Sequence, residues 1–290
     1  MFGRQKLRLS LLAILILTNY LLWVAVGEAN NQNLRVTFLN VGQGDAILIR
    51  TPTQENILID GGPDDSVITE LGKNLPLWDR ELDLVIATHH DADHITGLLT
   101  VLREYQVKEV LTLAISSTTK INSDWQEVLK QVPVVNWADI TDDYQWGAVV
   151  WDTIWPLTST AENYQGNNSS IVGELSFYSS QILLTGDIEA PTESAITQLY
   201  PGLTADILKV AHHGSRFSST AGFLQTIQPQ AAVILVGKNS YGHPHPETLD
   251  RLLVVKSDVY RTDQDGTIEV ILEKSGYWIK ADGQKKFYQN

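Results

Sequence analysis

Cysteine is absent from this chain, which removes a disulfide framework, a thiolate metal site and a cysteine nucleophile together. Basic residues are also scarce: 21 Lys and Arg against 34 Asp and Glu leave a net charge of −13 over 290 residues. That balance argues against a protein that coats nucleic acid through general electrostatics, because such binding depends on cations neutralising phosphates. Only a local positive surface could serve, drawn from Lys209, Arg216, Lys238 and Arg261. Charged residues make up 19% and apolar ones 43%, enough for an ordinary large core, so disorder and collagen-like repeats are excluded. There is no internal repeat, no long linker and no phosphate-cradling glycine loop of the nucleotide-triphosphatase kind.

What is present begins with a targeting pattern. Arg4, Lys6 and Arg8 precede a mostly apolar run from Leu9 to Val26, with Trp23 near its end, and a polar stretch follows from Glu28 to Asn33. Residues 1–33 therefore read as a signal anchor or a signal peptide with a short polar linker, and 34–290 as the folded domain. An uncleaved anchor predicts a single-pass cell-membrane protein, attached to the cytoplasmic membrane, whose domain lies outside the cytoplasm. Cleavage near Ala25-Val26-Gly27 or Gly27-Glu28-Ala29 predicts a secreted protein instead.

From Leu34 onward, short aliphatic runs predict strands over Val36–Val41, Ala46–Ile49, Ile57–Asp60, Leu82–Thr88 and Val107–Ile115. Further strands are expected over Ala148–Trp155, Ile171–Tyr178, Ile182–Leu184, Ile207–Val210, Ala231–Val236, Val259–Arg261, Thr267–Leu272 and Tyr277–Ile279. Helical periodicity falls between some of them, at Gly97–Tyr105, Trp125–Val132, Thr192–Leu199, Ala221–Ile227 and Pro246–Val255. The pattern predicts an α/β domain of two mixed sheets with helices outside and an antiparallel start. Most tryptophans between Trp125 and Trp155 read as core, with base stacking as the alternative.

All seven histidines fall in three places: His89, His90 and His94; His212 and His213; His243 and His245. Histidines kept for packing or solubility would be scattered, so the clusters predict one site assembled from several loops. The first, Thr88-His89-His90-Asp91-Ala92-Asp93-His94, follows an apolar strand and precedes a helix. In extended geometry His89, Asp91 and Asp93 share a side, with His94 turning in at the helix start. Two such pairs could hold two metals, which need a bridging carboxylate, and Asp187 in Leu184-Thr185-Gly186-Asp187 is the candidate. In Val210-Ala211-His212-His213-Gly214-Ser215, one imidazole can ligate while the other holds a proton or a supporting carboxylate. Tyr241-Gly242-His243-Pro244-His245-Pro246 is a rigid loop before a helix, with a plain helix cap as its alternative reading.

The order His-x-Asp-x-Asp-His, Gly-Asp after a strand, then His-His-Gly-Ser resembles the metallo-β-lactamase fold of binuclear hydrolases. More narrowly, the chain resembles the C-terminal hydrolase domain of the ComEC-type DNA-uptake proteins. The resemblance rests on Phe38-Leu39-Asn40-Val41-Gly42-Gln43-Gly44-Asp45-Ala46, Asp60-Gly61-Gly62, Asn167-Asn168-Ser169-Ser170, Lys209-Val210-Ala211-His212-His213-Gly214-Ser215 and Tyr260-Arg261-Thr262-Asp263, besides the motifs above. It implies a four-layer αββα sandwich with metals at one edge of the sheets. By position, His89, Asp91 and the His212 or His213 imidazole would serve one metal and Asp93 and His94 the other, with Asp187 shared. Asn168 falls where the superfamily usually has another histidine. Asp91 replaces the second histidine of the commoner motif, and Asn40 stands where the subgroup commonly has Asp.

The metal ligands expected are thus His89, Asp91, Asp93, His94, Asp187 and His212, holding two divalent ions, Zn²⁺ or Mn²⁺. The oxygen-rich set favours Mn²⁺. Asp93, His213 and His245 are the catalytic candidates; Asp60, Asn168, Ser215 and His243 would support them or touch substrate, and Asp45, like Asp60, reads as a residue that supports the ligands or the fold. The expected function is a nuclease or phosphodiesterase acting on DNA or another phosphodiester. The alternatives are a hydrolase of β-lactams, esters or other small molecules, and a metal-dependent binding module without turnover.

Overall fold

The computed structural model describes residues 9–19, 32–114, 119–157 and 165–289. The chain divides into two units, Met1–Asn33 and Leu34–Asn290. In the first, the described residues 9–19 form a helix, about 16 Å long at a rise of about 1.5 Å per residue, against a hydrocarbon core of about 30 Å. No helix among the described residues is long and apolar enough to cross a membrane. This corrects the expectation of a single-pass membrane protein. Arg4, Lys6, Arg8, Trp23 and both cleavage points lie outside the described residues, as does Ile115 at the end of one expected strand.

In the second unit, alternation of aliphatic side chains builds the sheets. Strand β1 (Leu34–Phe38) turns Leu34, Val36 and Phe38 to one side, as β2 (Ile47–Arg50) does Ile47 and Ile49 and β3 (Asn56–Ile59) does Ile57 and Ile59. Leu48 and Leu58 point to the opposite face and are equally buried. Apolar residues on both faces are what a sheet covered on both sides requires. The first sheet continues through β4 (Glu81–Ile86), β5 (Gln106–Thr112) and β6 (Val134–Trp137). The second contains β7 (Tyr144–Trp146), β8 (Val149–Trp155), β9 (Val172–Phe177), β10 (Ser180–Leu184), β11 (Ile207–Lys209), β12 (Ala231–Ile234) and β13 (Asp258–Arg261). The chain then returns to the first sheet with β14 (Ile268–Glu273), β15 (Gly276–Ala281) and β16 (Gln284–Gln289). The spatial orders are β16-β15-β14-β1-β2-β3-β4-β5-β6 and β13-β12-β11-β10-β9-β8-β7.

One core lies between the sheets, where Phe38, Trp151, Phe177 and Tyr277 meet. A second joins the first sheet to helices Ser66–Asn74, Ala92–Glu104 and Lys120–Leu129; a third joins the other sheet to helices Ala190–Leu199, Ala221–Ile227 and Pro246–Val254. The result is the four-layer αββα sandwich. Trp125, Trp151 and Trp155 are at most 1% exposed and serve these cores, each burying about 150–250 Å². Sequence periodicity passed over β6, β7 and β16, all of which are edge strands. An edge strand carries a polar or exposed side and lacks the buried alternation that marks a central one.

Strands β3 to β6 run parallel in one sheet and β10 to β13 in the other, with helices as crossovers. Their carboxyl ends therefore gather the loops that carry Asp60, His89–His94, Asp187, His212–His213 and His243–His245. Such an edge is where open α/β sheets bind ligands. The loops are tied to one another: Gly61 N–H donates to His94 O at 2.7 Å, Gly62 N–H to Asp45 O at 2.8 Å and Asp45 N–H to Asp93 O at 3.2 Å.

Gly97, on helix Ala92–Glu104, seats that helix against the loop, and a Cβ there would lie 1.9 Å from Gly61 O and 2.6 Å from Asp64 O. Backbone atoms cannot rotate away, so Gly97→Ala should destabilise the fold by about 1–3 kcal/mol. Denaturant unfolding that shows no loss would refute this account of the packing.

Candidate metal centre

The His89–His94 segment is not extended throughout. Asp91 is the N-cap of the helix that starts at Ala92, with φ −76° and ψ 150°, and Asp93 lies in its first turn. The helix thus begins earlier than the periodicity from Gly97 implied, because polar ligating residues occupy its first turn. Curling the chain there separates the two carboxylates. Asp91 remains at the rim, its side chain 57% exposed and 3.8 Å from His89 Nε2, whereas Asp93 Oδ2 lies 3.2 Å from His213 Nε2.

Three imidazoles are buried, and each is held by its Nδ1. His94 Nδ1 lies 2.8 Å from Asp60 Oδ2, His213 Nδ1 2.8 Å from Leu235 O and His89 Nδ1 3.1 Å from Thr88 Oγ1. Asp60 Oδ2 also accepts from Thr88 Oγ1 at 2.7 Å, which leaves the Thr88 oxygen able to accept from His89. In the neutral ring each Nδ1 thereby keeps the proton and each Nε2 is the atom left to offer a lone pair, the arrangement that supporting partners impose on ligating histidines. The Nε2 atoms converge. His94 Nε2 is 3.3 Å and His213 Nε2 3.4 Å from Asp187 Oδ2. Neither His89 Nε2 nor His94 Nε2 has a hydrogen-bond partner despite burial.

Ligand-capable atoms cluster as His89, His94 and Asp187; Asp93, His94 and His213; and Asp45, Asp187 and His213, within 4.8 Å in each group. Orphaned, buried nitrogen lone pairs facing carboxylates fit a divalent cation. Of the pair at 212 and 213, it is His213 that faces this cluster, and it joins Asp93 and His94 rather than His89 and Asp91. Both residues of the pair have positive φ, 50° and 53°, which sends their side chains in different directions. His212 goes to Glu189, 3.3 Å away, and to Asn167.

Beneath the cluster lies Lys209, 1% exposed. Its ammonium donates to Gly186 O at 2.7 Å, lies 3.3 Å from Asp187 Oδ1 and contacts Asp45 Oδ2. Burial alone would lower its pKa, but Asp45 and Asp187 outweigh burial and hold it above the usual lysine value. Lys209 is therefore an internal counterion, which corrects its reading as part of a DNA-facing positive surface. Arg261 is spoken for as well, paired with Asp263 at 2.7 Å. Asp45, read as supporting the ligands or the fold, is buried among the ligand-capable groups. The sequence signal that would have found this pair is a lysine inside the apolar run Ile207–Val210, since a charge in a buried strand demands a partner.

The remaining residues divide between supporting contacts and a cavity. Asn168 Oδ1 accepts from Glu189 N–H at 3.1 Å and Thr192 Oγ1 at 3.0 Å, so it fixes the start of helix Ala190–Leu199. Glu189, His212, Ser215, His243 and His245 line a cavity of about 510 Å³. The Ser215 hydroxyl oxygen accepts from Phe217 N–H at 3.3 Å, a turn contact. His243 has its Nδ1 buried without a partner, and burial, reinforced by His212 and His213, lowers its pKa to about 4. His245 caps helix Pro246–Val254, its Nδ1 accepting from Glu247 N–H at 3.4 Å. His90 turns aside, its Nε2 3.1 Å from Thr112 Oγ1.

Two predictions come from these electrostatics. Burial would lower the His213 pKa, but Asp187, Asp45 and Asp93 outweigh it and push the pKa to about 10 without metal. The unfolded imidazole releases its proton near pH 6.5, so the metal-free fold should lose stability as pH rises from about 6.5 to about 10. A cation must displace such protons, so its affinity should rise with pH over the same window, with proton release seen by calorimetry in buffers of different ionisation enthalpy. Affinity independent of pH would contradict the geometry. Separately, Lys209→Met strands two buried carboxylates and should destabilise the metal-free protein by about 3–5 kcal/mol, measured by chemical unfolding.

The profile of the metallo-beta-lactamase superfamily matches residues 39–238. Among curated proteins, ComE operon protein 3 of Bacillus subtilis is 32% identical over 253 residues, which cover 81% of this chain and 32% of that protein. Recombination protein 2 of Haemophilus influenzae is 29% identical over 270 residues, 91% of this chain and 32% of that protein. The chain spans about a third of the length of these relatives. Among solved structures, the metallo-beta-lactamase fold protein YhfI of Bacillus subtilis superposes with TM-score 0.57 at 14% identity, covering 82% of this chain and 100% of that one. With the sandwich, the imidazole–carboxylate edge and the profile in agreement, the chain belongs to the metallo-β-lactamase superfamily.

Proposed function

We propose that this chain is a metal-dependent phosphodiesterase that acts on DNA as a nuclease. The observation that carries the reading is a set of overlapping ligand-capable groups, His89 with His94 and Asp187, Asp93 with His94 and His213, and Asp45 with Asp187 and His213, beside a cavity of about 510 Å³. The likeness to a protein named Recombination protein 2, over 91% of this chain, supports DNA over a β-lactam or an ester. Asp93, His94 and His213 would hold one cation, and His89 with the rim carboxylate Asp91 the other, with Asp187 between them. When bound, two such cations would supply an acidified water at neutral pH and a clamp on the phosphoryl oxygens where charge develops. Abundant carboxylate oxygen and no thiolate favour Mn²⁺ over Zn²⁺.

The chain's own groups do the rest. Lys209 fixes the Asp187 carboxylate from below, so Asp187 keeps one orientation. His245, whose Nδ1 accepts from a backbone N–H, carries its proton on Nε2 and can donate that N–H as a hydrogen bond to the leaving oxygen as charge develops on it. His243 is neutral at pH 7 and offers one N–H to a phosphate oxygen.

Mn²⁺-reconstituted protein should cleave single-stranded DNA and bis(p-nitrophenyl) phosphate, and open β-lactams poorly if at all. His245→Asn keeps the helix cap while removing the imidazole, and should lower kcat by about 10²- to 10³-fold with little change in KM. Asp93→Ala and Asp187→Ala should also lose bound metal by elemental analysis. A protein that opened β-lactams but left both phosphodiesters intact with every divalent ion would replace this reading with a small-molecule hydrolase.

A further inference from the structure

The cavity beside the metal centre has a mouth whose chemistry the hydrolytic step does not use. Tyr241 and Phe217 line it and are 74% and 56% exposed. Large rings left in water normally belong to mobile or neutral surface, but both of these stand on backbone that is tied down. The Asn239 side chain accepts from Tyr241 N–H at 3.1 Å and His243 N–H at 3.0 Å, and donates to Gly237 O at 2.9 Å and His243 O at 2.8 Å. Around Phe217, Arg251 donates to Arg216 O at 3.0 Å, Ala190 N–H to Phe217 O at 3.0 Å and Ser218 Oγ to Ile188 O at 2.8 Å. The rings are thus presented, with their ordering cost met by the fold before anything binds.

From the mouth, rings lead inward to the centre. Tyr241 and His243 have centroids 5.8 Å apart, His243 and His213 6.5 Å, and His213 and His94 5.5 Å. A group resting on Tyr241 is therefore adjacent to whatever occupies the metal centre. Arg216 lies over the Phe217 ring at 4.7 Å and is exposed, a cation at the same mouth. In a chain of net charge −13, general attraction cannot hold a polyanion. Stacking can, because every base has a π-face.

The geometry points to a nucleobase subsite at this mouth: Tyr241 and Phe217 stack an unpaired base next to the phosphodiester at the metal centre, so the substrate is single-stranded. This rests on the phosphodiesterase reading and deepens it. Arg216 meets the neighbouring phosphate. A base in a duplex is already stacked and presents only its edges, so duplex DNA of the same sequence binds less well.

Kinetics on the metal-reconstituted full chain test this. Tyr241→Ala and Phe217→Ala should each raise KM for a short single strand by about 5- to 100-fold, Tyr241→Phe should restore it, and turnover of bis(p-nitrophenyl) phosphate should be unchanged. An oligonucleotide abasic throughout should bind wild type and Tyr241→Ala equally. Unchanged KM for DNA in both alanine variants, or an equal loss on the small diester, overturns the subsite. If wild type cleaves neither phosphodiester, the phosphodiesterase reading fails on its own. Fluorescence anisotropy of a labelled strand in Ca²⁺ then decides the subsite, supporting it if Tyr241→Ala weakens binding and overturning it if not.

Discussion

Burying carboxylates at one edge of a sandwich is the constraint on which the rest of this protein depends. Asp45, Asp60 and Asp187 are at most 3% exposed, and isolated carboxylates there would cost several kcal/mol each. Three devices answer that cost. Asp60 is surrounded by donors from Thr88 and His94, Asp45 and Asp187 share the Lys209 ammonium, and the imidazoles of His94 and His213 face Asp187 with protons when no cation does. The last device makes the centre exchangeable. A proton and a divalent cation compete for the same lone pairs, while Lys209 remains as permanent charge beneath them.

The architecture explains how such a cluster can be assembled. Two parallel strand sets end at the same edge, so loops separated by more than a hundred residues meet there, and backbone bonds among the Asp45, Asp60–Gly62 and His94 loops fix their spacing. Left-handed backbone at His212 and His213 then splits adjacent histidines between two tasks. One imidazole enters the carboxylate cluster and the other lines the cavity.

The cavity gives the centre a direction. On one side of the carboxylates lies the apolar interior; on the other, histidines grade into exposed aromatic rings on pinned loops. For an acidic protein this is a physically consistent way to approach a polyanion, since stacking and a few placed cations do not require a positive surface.

The sequence by itself determined the fold class and the approximate membership of the site. Aliphatic alternation marks the buried central strands, and polar ligating residues at their ends stand out because nothing in strand packing explains them. It left the edge strands β6, β7 and β16 unmarked, since their environment is half solvent and imposes no pattern. Where a charge lies relative to other loops was not legible either. Lys209, inside an apolar run, calls for a buried partner, but that Asp45 and Asp187 are the two carboxylates around it is seen only in the fold, and Asp91 and Asp93 look equivalent until the helix start turns one outward and the other inward. Nor could a local pattern distinguish His212 from His213. That choice depends on backbone angles at a tight turn and on a carbonyl from the neighbouring strand's end, Leu235 O, which holds one ring. Residue type fixes which atoms can ligate or stack; only tertiary packing decides which of them share a point in space, because the contacts that orient them come from distant parts of the chain.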